Sequence, residues 1–184
     1  LRRVDLDATD FSAIADEVLG AFALVSTRGR AHAAVRAFNS ASGAVLETNT
    51  PDLAFLVDSV TGELHARGLM IERVVHPIIG LERDAAGRIA AVVPPATAAQ
   101  RESVMHFDLD RRLEPEDLAG LEDAVRDVLE AVRVVVADFA AMEAAVEQMS
   151  AAARAAAPEH GDDAVEEAVS FLRWLRRDHF VFLG

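Results

Sequence analysis

Asn49-Thr-Pro-Asp-Leu-Ala-Phe-Leu-Val-Asp-Ser-Val60 decides the fold, because a helix-start signal stands directly behind a strand-like run. Thr50 has the side chain of an N-cap. Pro51 suits a first helical position, where its missing N–H costs nothing, and Asp52 sets negative charge against the positive end of the helix dipole. Leu53, Leu56, Val57, Val60 and Leu64 then recur at three- and four-residue intervals as one apolar stripe, with Gly68 as the stop. Upstream of this joint, the turn cluster Asn39-Ser-Ala-Ser-Gly43 separates Ala33–Phe38 from Ala44–Thr48, which predicts a hairpin leading into the Thr50 cap. Further upstream, Phe11, Ile14, Val18, Phe22 and Val25 predict an amphipathic helix over 8–26, ending before Arg28-Gly-Arg30.

Downstream, Met70–Arg83 is rich in Val and Ile. The turn Asp84-Ala-Ala-Gly87 divides it from Ile89–Val93, and Pro94-Pro95 closes the second strand. Residues 96–101 read as a loop. Ser103–Asp110 alternates, with Met105, Phe107 and Leu109 on one face, and so predicts a half-buried strand. From Pro115 the apolar period is helical to Met149. Residues 115–156 therefore form one long helix or two with a slight break, and the overhang would pack on the first helix or on a second copy. Pro158-Glu-His-Gly-Asp162 precedes a last helix over 164–177. Strands and helices in this order fit a ferredoxin-like α+β plan, an antiparallel sheet covered by helices. The expected organisation is an N-terminal helix over 1–27, a core domain over 28–157 and a C-terminal helix and strand over 158–184.

Composition narrows the function. With 184 residues, 52% hydrophobic and 27% charged, the chain can bury one good core. A net charge of −13 argues against a nucleic-acid surface, which needs clustered positive charge. No run offers the roughly 20 apolar residues of a membrane span, and Leu1-Arg-Arg-Val-Asp5 does not open a signal peptide. The absence of cysteine removes disulfides and thiolate metal sites and is compatible with a cytoplasmic location. All 18 basic residues are Arg, so a Schiff base, a P-loop lysine and a lysine general base are excluded. The missing initial Met and the apolar Phe180–Gly184 end read as an excised piece.

Five segments, in order, resemble one family. They are Ala34-Val-Arg-Ala-Phe-Asn39, Asp52-Leu-Ala-Phe-Leu-Val-Asp-Ser-Val60, Val74-Val-His-Pro-Ile-Ile79, Glu102-Ser-Val-Met-His-Phe-Asp-Leu-Asp-Arg111, and Phe171-Leu-Arg-Trp-Leu175 through Asp178-His-Phe-Val-Phe-Leu-Gly184. The chain is similar to the N-terminal, ACT-domain-bearing part of the large NAD-specific glutamate dehydrogenases of bacteria. One departure is the helix start, where the family carries a second acid and a Met-Pro pair and this chain has Pro51-Asp52-Leu53-Ala54. The resemblance implies an ACT-like fold within a homo-oligomeric parent that interconverts glutamate and 2-oxoglutarate with NAD. It implies no cofactor in this segment, because such a dehydrogenase uses a lysine and a Gly-rich dinucleotide turn, and neither occurs here. What remains is regulation or assembly: contacts with the rest of the parent, an amino-acid effector, or a pure scaffold.

Asn49, Thr50 and Asp52 are the candidate effector residues, at a helix N-terminus whose free N–H groups could receive a carboxylate. The competing reading is a self-satisfied cap. Asp58 reads as solvent-facing. A metal site can be drawn from His76, His106 and Asp108, but two distant histidines more simply make hydrogen bonds on a sheet face. Asp108, Asp110, Arg111 and Arg112 read as a solvated strand end. His160 and His179 carry no motif, and no catalytic or metal-binding residue is expected.

Overall fold

The computed structural model describes residues 8–28, 32–156, 161–179 and 182. It divides into two compact units, Leu1–Val132 and Arg133–Gly184. The division falls near the end of a helix. The last strand-like run, Phe180–Gly184, lies outside the described residues apart from Phe182.

The first unit runs α1 (Ala8–Arg28), β1 (Ala34–Asn39), β2 (Ala44–Pro51), α2 (Leu56–Ala66), β3 (Ile71–Val75), β4 (Ile78–Arg83), β5 (Ile89–Val93), β6 (Gln100–Leu109) and α3 (Pro115–Ala137). Its sheet is wholly antiparallel, in the order β1-β2-β6-β4-β5, with β3 also on β6. This is the expected ACT-like α+β class. The stretch Met70–Arg83, expected as one strand, is two. His76-Pro77 interrupts it, since Pro77 has no N–H to donate and instead its carbonyl accepts from Val104 N at 3.1 Å. The halves β3 and β4 then pair with successive parts of the long β6.

Alternation gives the sheet two different faces. Leu46, Thr48, Thr50, Ser103, Met105, Phe107 and Leu109 point one way, and all are buried. With Leu56, Val60 and Leu64 of α2 and Leu121, Val125 and Leu129 of α3, likewise buried, they form the main core. Removing this apolar surface from water is the chief stabilising term. Glu47, Asn49, Glu102, Val104, His106 and Asp108 point the other way, toward α1. The strand β6 is therefore buried on both faces rather than half-buried, because α1 occupies the side that alternation assigned to solvent.

The helix α1 is rotated from its expected face. Val25 is buried and packs with Leu81 and Val104, with Ala21, Ile79 and Ile89 around them, whereas Val18 and Phe22 stay exposed. At the opposite sheet edge the Glu122 side chain of α3 accepts from the amide of Ala37 in β1, at 2.8 Å.

The second unit holds the end of α3, α4 (Phe139–Ala155) and α5 (Asp162–Trp174), followed by a π turn over Leu175–His179. Residues 115–156 are thus two helices separated at Asp138. Val146 and Val169 are buried between α4 and α5, and Arg176 donates to Glu147 at 3.0 Å. The Phe171 and Trp174 rings stack with centroids 6.1 Å apart.

Candidate functional site

The strand-to-helix joint differs from its expected form. Thr50 and Pro51 are strand residues paired with Ser103 and Glu102, and α2 begins only at Leu56, with no side-chain cap. Pairing and burial along β6 outweigh a local cap worth about 1 kcal/mol. The residue that turns the chain into the helix is Phe55, at φ 68°, a left-handed backbone that glycine adopts without strain. Gly68, at φ 67°, closes α2 as expected, with Leu69 N donating to Leu64 O at 3.0 Å.

The three candidate effector residues diverge. Asn49 points toward α1, Thr50 points into the main core with its hydroxyl donating to Pro51 O at 2.9 Å, and Asp52 pairs with Arg101 at 2.7 Å. Asp52 N also donates to Arg101 O, so both groups of Asp52 extend the β2–β6 pairing. Asp58 faces solvent.

Asn49 belongs to a buried knot. Its amide oxygen accepts from Arg28 Nε at 2.8 Å, and its amide nitrogen donates to Glu102 Oε2 at 3.0 Å and Ser103 O at 3.2 Å. Glu102 also receives Arg28 Nη2 and two parallel bonds from Arg83. Burial opposes ionisation of Glu102, but the bonds from Arg83 and Asn49 and the charge of Arg28 hold its pKa below the ordinary carboxylate value. Burial lowers the Arg28 pKa against the pull of Glu102. Arg83 Nη2 reaches the Val25 carbonyl at 3.0 Å as well, so the knot fastens the last turn of α1 to the sheet.

A second charged group lies further along the same face. His106 sits between Glu47 and Asp108, with Nδ1 to Glu47 Oε1 at 3.1 Å and Nε2 to Asp108 Oδ1 at 3.2 Å. Arg36 donates to Glu47, and Arg73 donates to Asp108 and, at 2.8 Å, to Glu17 of α1. Burial disfavours the imidazolium, but the bonds to Glu47 and Asp108 raise the His106 pKa overall. Glu47 and Asp108 are both lowered. In each, burial pushes up, while bonds from His106 and Arg36, or from Arg73 and His106, outweigh it. With His106 charged, three cations (Arg36, Arg73, His106) face three carboxylates (Glu17, Glu47, Asp108). Asp108 is therefore a network member and not part of a solvated strand end. His76 bonds Ser103 Oγ at 2.8 Å, on the opposite face from His106, so the drawn metal constellation does not converge. Asp110 Oδ1 accepts from Met70 N, and Arg111 and Arg112 are exposed. His160 and the His179 side chain lie outside the described residues.

Beside the charged groups, α1 and the β4–β5 hairpin enclose an open apolar groove of about 270 Å³, lined by Val18, Phe22, Val75, Ile79 and Val92 among others. Sequence reading missed both the groove and the second network. The signal present was alternation of Glu47 and Asn49 on one strand and Glu102, His106 and Asp108 on another, which reads equally as a solvent face.

Residues 2–125 match the family model described as glutamate dehydrogenase, ACT1 domain. The chain belongs to the glutamate dehydrogenase ACT1 domain family. The match takes in every strand of this ACT1 domain, with α2 and the first part of α3. It is 35% identical over 142 residues to an NAD-specific glutamate dehydrogenase of Pseudomonas aeruginosa, covering 76% of the chain and 9% of that protein. A protein of the same description from Halomonas elongata is 35% identical over 137 residues, covering 72% of the chain and 8% of its own length. One from Mycobacterium tuberculosis is 28% identical over 151 residues, 77% of the chain and 9% of that protein. The chain thus spans less than a tenth of the length of these relatives. Among its described residues the ACT1 domain assembles no group of three His, Asp or Glu that could hold a metal ion. Its buried charges are engaged with one another, an arrangement suited to holding α1 in place.

Proposed function

We propose that this chain is a non-catalytic regulatory and oligomerisation segment from the N-terminal part of a large NAD-dependent glutamate dehydrogenase. The parent converts L-glutamate, NAD and water to 2-oxoglutarate, ammonia and NADH, and works as a cytoplasmic homo-oligomer. The observation that carries this reading is the ACT1 match over residues 2–125 in a chain that spans only 8–9% of its relatives. The sequence adds support, since a chain without lysine or a Gly-rich dinucleotide turn lacks the usual equipment for amino-acid oxidation with NAD. The Arg–carboxylate pairs on the α1 face favour a positioning role over acid–base chemistry, because each carboxylate already accepts from an arginine. The test is kinetic. The 184-residue chain is expected to form no NADH from glutamate and NAD, while Glu102→Ala in the parent changes assembly or effector response and leaves hydride transfer intact. Glutamate-dependent NADH formation by the isolated chain overturns the reading.

A further inference from the structure

The helix α1 is fastened to the sheet unevenly. Its C-terminal end is locked: Ala21 and Val25 pack against Leu81 and Val104, the Val25 carbonyl accepts from Arg83 Nη2 at 3.0 Å, and Arg28 is held by Asn49 and Glu102. The middle of the helix is held more lightly. Val18 and Leu19 are 61% and 65% exposed, so apolar burial contributes little there, and the sheet holds this turn through the Glu17 carboxylate. Arg73 Nη2 of β3 donates to Glu17 Oε2 at 2.8 Å, and His106 Nε2 of β6 lies 3.6 Å from Glu17 Oε1. The tie therefore depends on a ring of the one side-chain type that ordinarily changes charge near neutral pH.

Both nitrogens of His106 face carboxylates, Nδ1 toward Glu47 Oε1 at 3.1 Å and Nε2 toward Asp108 Oδ1 at 3.2 Å. An ionised carboxylate only accepts, so the ring satisfies both with a proton on each nitrogen and fails one of them when neutral. The Glu47 side chain is 2% exposed against 20% for Asp108, so the proton that stays is the one on Nδ1, and Nε2 becomes a bare acceptor. A donor is already in reach. Arg73 Nη2, the atom that holds Glu17, lies 3.4 Å from Nε2. Charge works in the same direction, since Arg36 of β1 and Arg73 are then left against Glu47, Asp108 and Glu17, with Asp16 of α1 lining the same cavity. Of these carboxylates, Glu47 and Asp108 are fixed in paired strands, while Glu17 and Asp16 ride on the lightly held turn. We propose that α1 is a proton-gated strap: loss of the His106 proton draws Arg73 away from Glu17, and the helix lifts about its locked C-terminal end to open the apolar groove beneath Val18 and Phe22. This goes beyond the functional reading and stands without it, because every group involved belongs to this chain.

The experiment is amide exchange of the 184-residue chain from about pH 6 to about pH 9, spanning the ordinary imidazole value of about 6.5 and values above it. Each amide is expressed as protection relative to its own unstructured rate, so that the base-catalysed rise in intrinsic exchange cancels. Burial lowers the His106 value but the bonds to Glu47 and Asp108 raise it overall, so the change is expected on the alkaline side of the ordinary value. Protection over residues 15–20 should fall by roughly tenfold or more as the ring loses its proton, while residues 24–28 and β6 keep theirs. His106→Gln, which never carries the charge, should show the low protection at every pH. Glu17→Gln, at a side chain 25% exposed, keeps the test open if His106→Gln does not fold. Linkage is reciprocal, so this variant should also lower the pH at which the His106 ring titrates by NMR. Protection over 15–20 that does not change with pH, a loss that persists in His106→Gln, a loss shared equally by residues 24–28 and β6, or a His106 titration that Glu17→Gln leaves in place overturns the proposal. None of these outcomes bears on whether the chain forms NADH, so failure here is distinguishable from failure of the functional reading.

Discussion

Arg83 grips Glu102 with two parallel hydrogen bonds, Nε to Oε1 at 2.7 Å and Nη2 to Oε2 at 2.8 Å, and both side chains are almost fully buried. A buried pair of this kind contributes little net stability against a well-packed apolar substitute, but losing one partner strands the other charges. Glu102→Gln would leave Arg28 and Arg83 sharing a neutral amide, and is expected to lower unfolding free energy by about 3–5 kcal/mol in urea titration. Asp52→Asn cuts a pair in which Arg101 is 56% exposed, and should change stability by no more than about 1 kcal/mol.

His106 sets a pH dependence of opposite sign to that of the carboxylates. Its folded pKa is raised above the unfolded value, so its stabilising contribution is complete below about 6.5 and is lost as pH rises through the folded value. Urea titrations across the neutral range should show stability falling toward alkaline pH, and His106→Gln should flatten that fall. Glu47, Glu102 and Asp108 have lowered folded values, so their contributions hold above the unfolded carboxylate range, about 4, and fade in acid.

Much of the fold was legible because it rests on local period. The Leu56, Val60 and Leu64 stripe, the Asn39–Gly43 turn and the Met105, Phe107 and Leu109 alternation each reflect burial against the main core, and each signal lies within one element. The other face was not legible. Glu47 and Glu102 look like solvent-facing residues on their own strands, and their partners Arg36, Arg28 and Arg83 stand 11, 74 and 19 residues away. Thr50 and Pro51 failed as a cap for a related reason. Their local chemistry favours a helix start, but pairing with Ser103 and Glu102, far along the chain, keeps them in the strand.

Gly43, at the end of the first hairpin turn, has a backbone neighbour where a side chain would begin. A methyl group there would lie 2.1 Å from the Leu109 carbonyl oxygen, closer than any contact distance, and the obstacle is backbone that cannot swing aside. Gly43→Ala is therefore expected to push β2 from the end of β6 and cost about 1–3 kcal/mol. At Gly62, which has open space around its added carbon, the same change removes a helix glycine and should stabilise by up to about 1 kcal/mol. Thermal or urea unfolding of the two variants side by side checks both signs.

Glu122 guards the β1 edge through one hydrogen bond, its Oε1 accepting from Ala37 N at 2.8 Å. Neighbouring groups do not substitute for it, since Asn39 is engaged with Leu113 at both ends of its amide, and Arg36 is turned toward Glu47 on the α1 side. Glu122→Ala should therefore open the Ala37 amide to water while the core beneath α3 stays packed, because Leu121, Val125 and Leu129 are untouched. The expected loss is that of one hydrogen bond to a charged group, about 1.5–3 kcal/mol at most. Amide exchange resolves the effect by residue: Ala37 should exchange markedly faster in Glu122→Ala, while amides of the central strand β6 slow or quicken only with global stability. Uniform acceleration across β1, β2 and β6 would mean instead that Glu122 holds the whole sheet and not its edge.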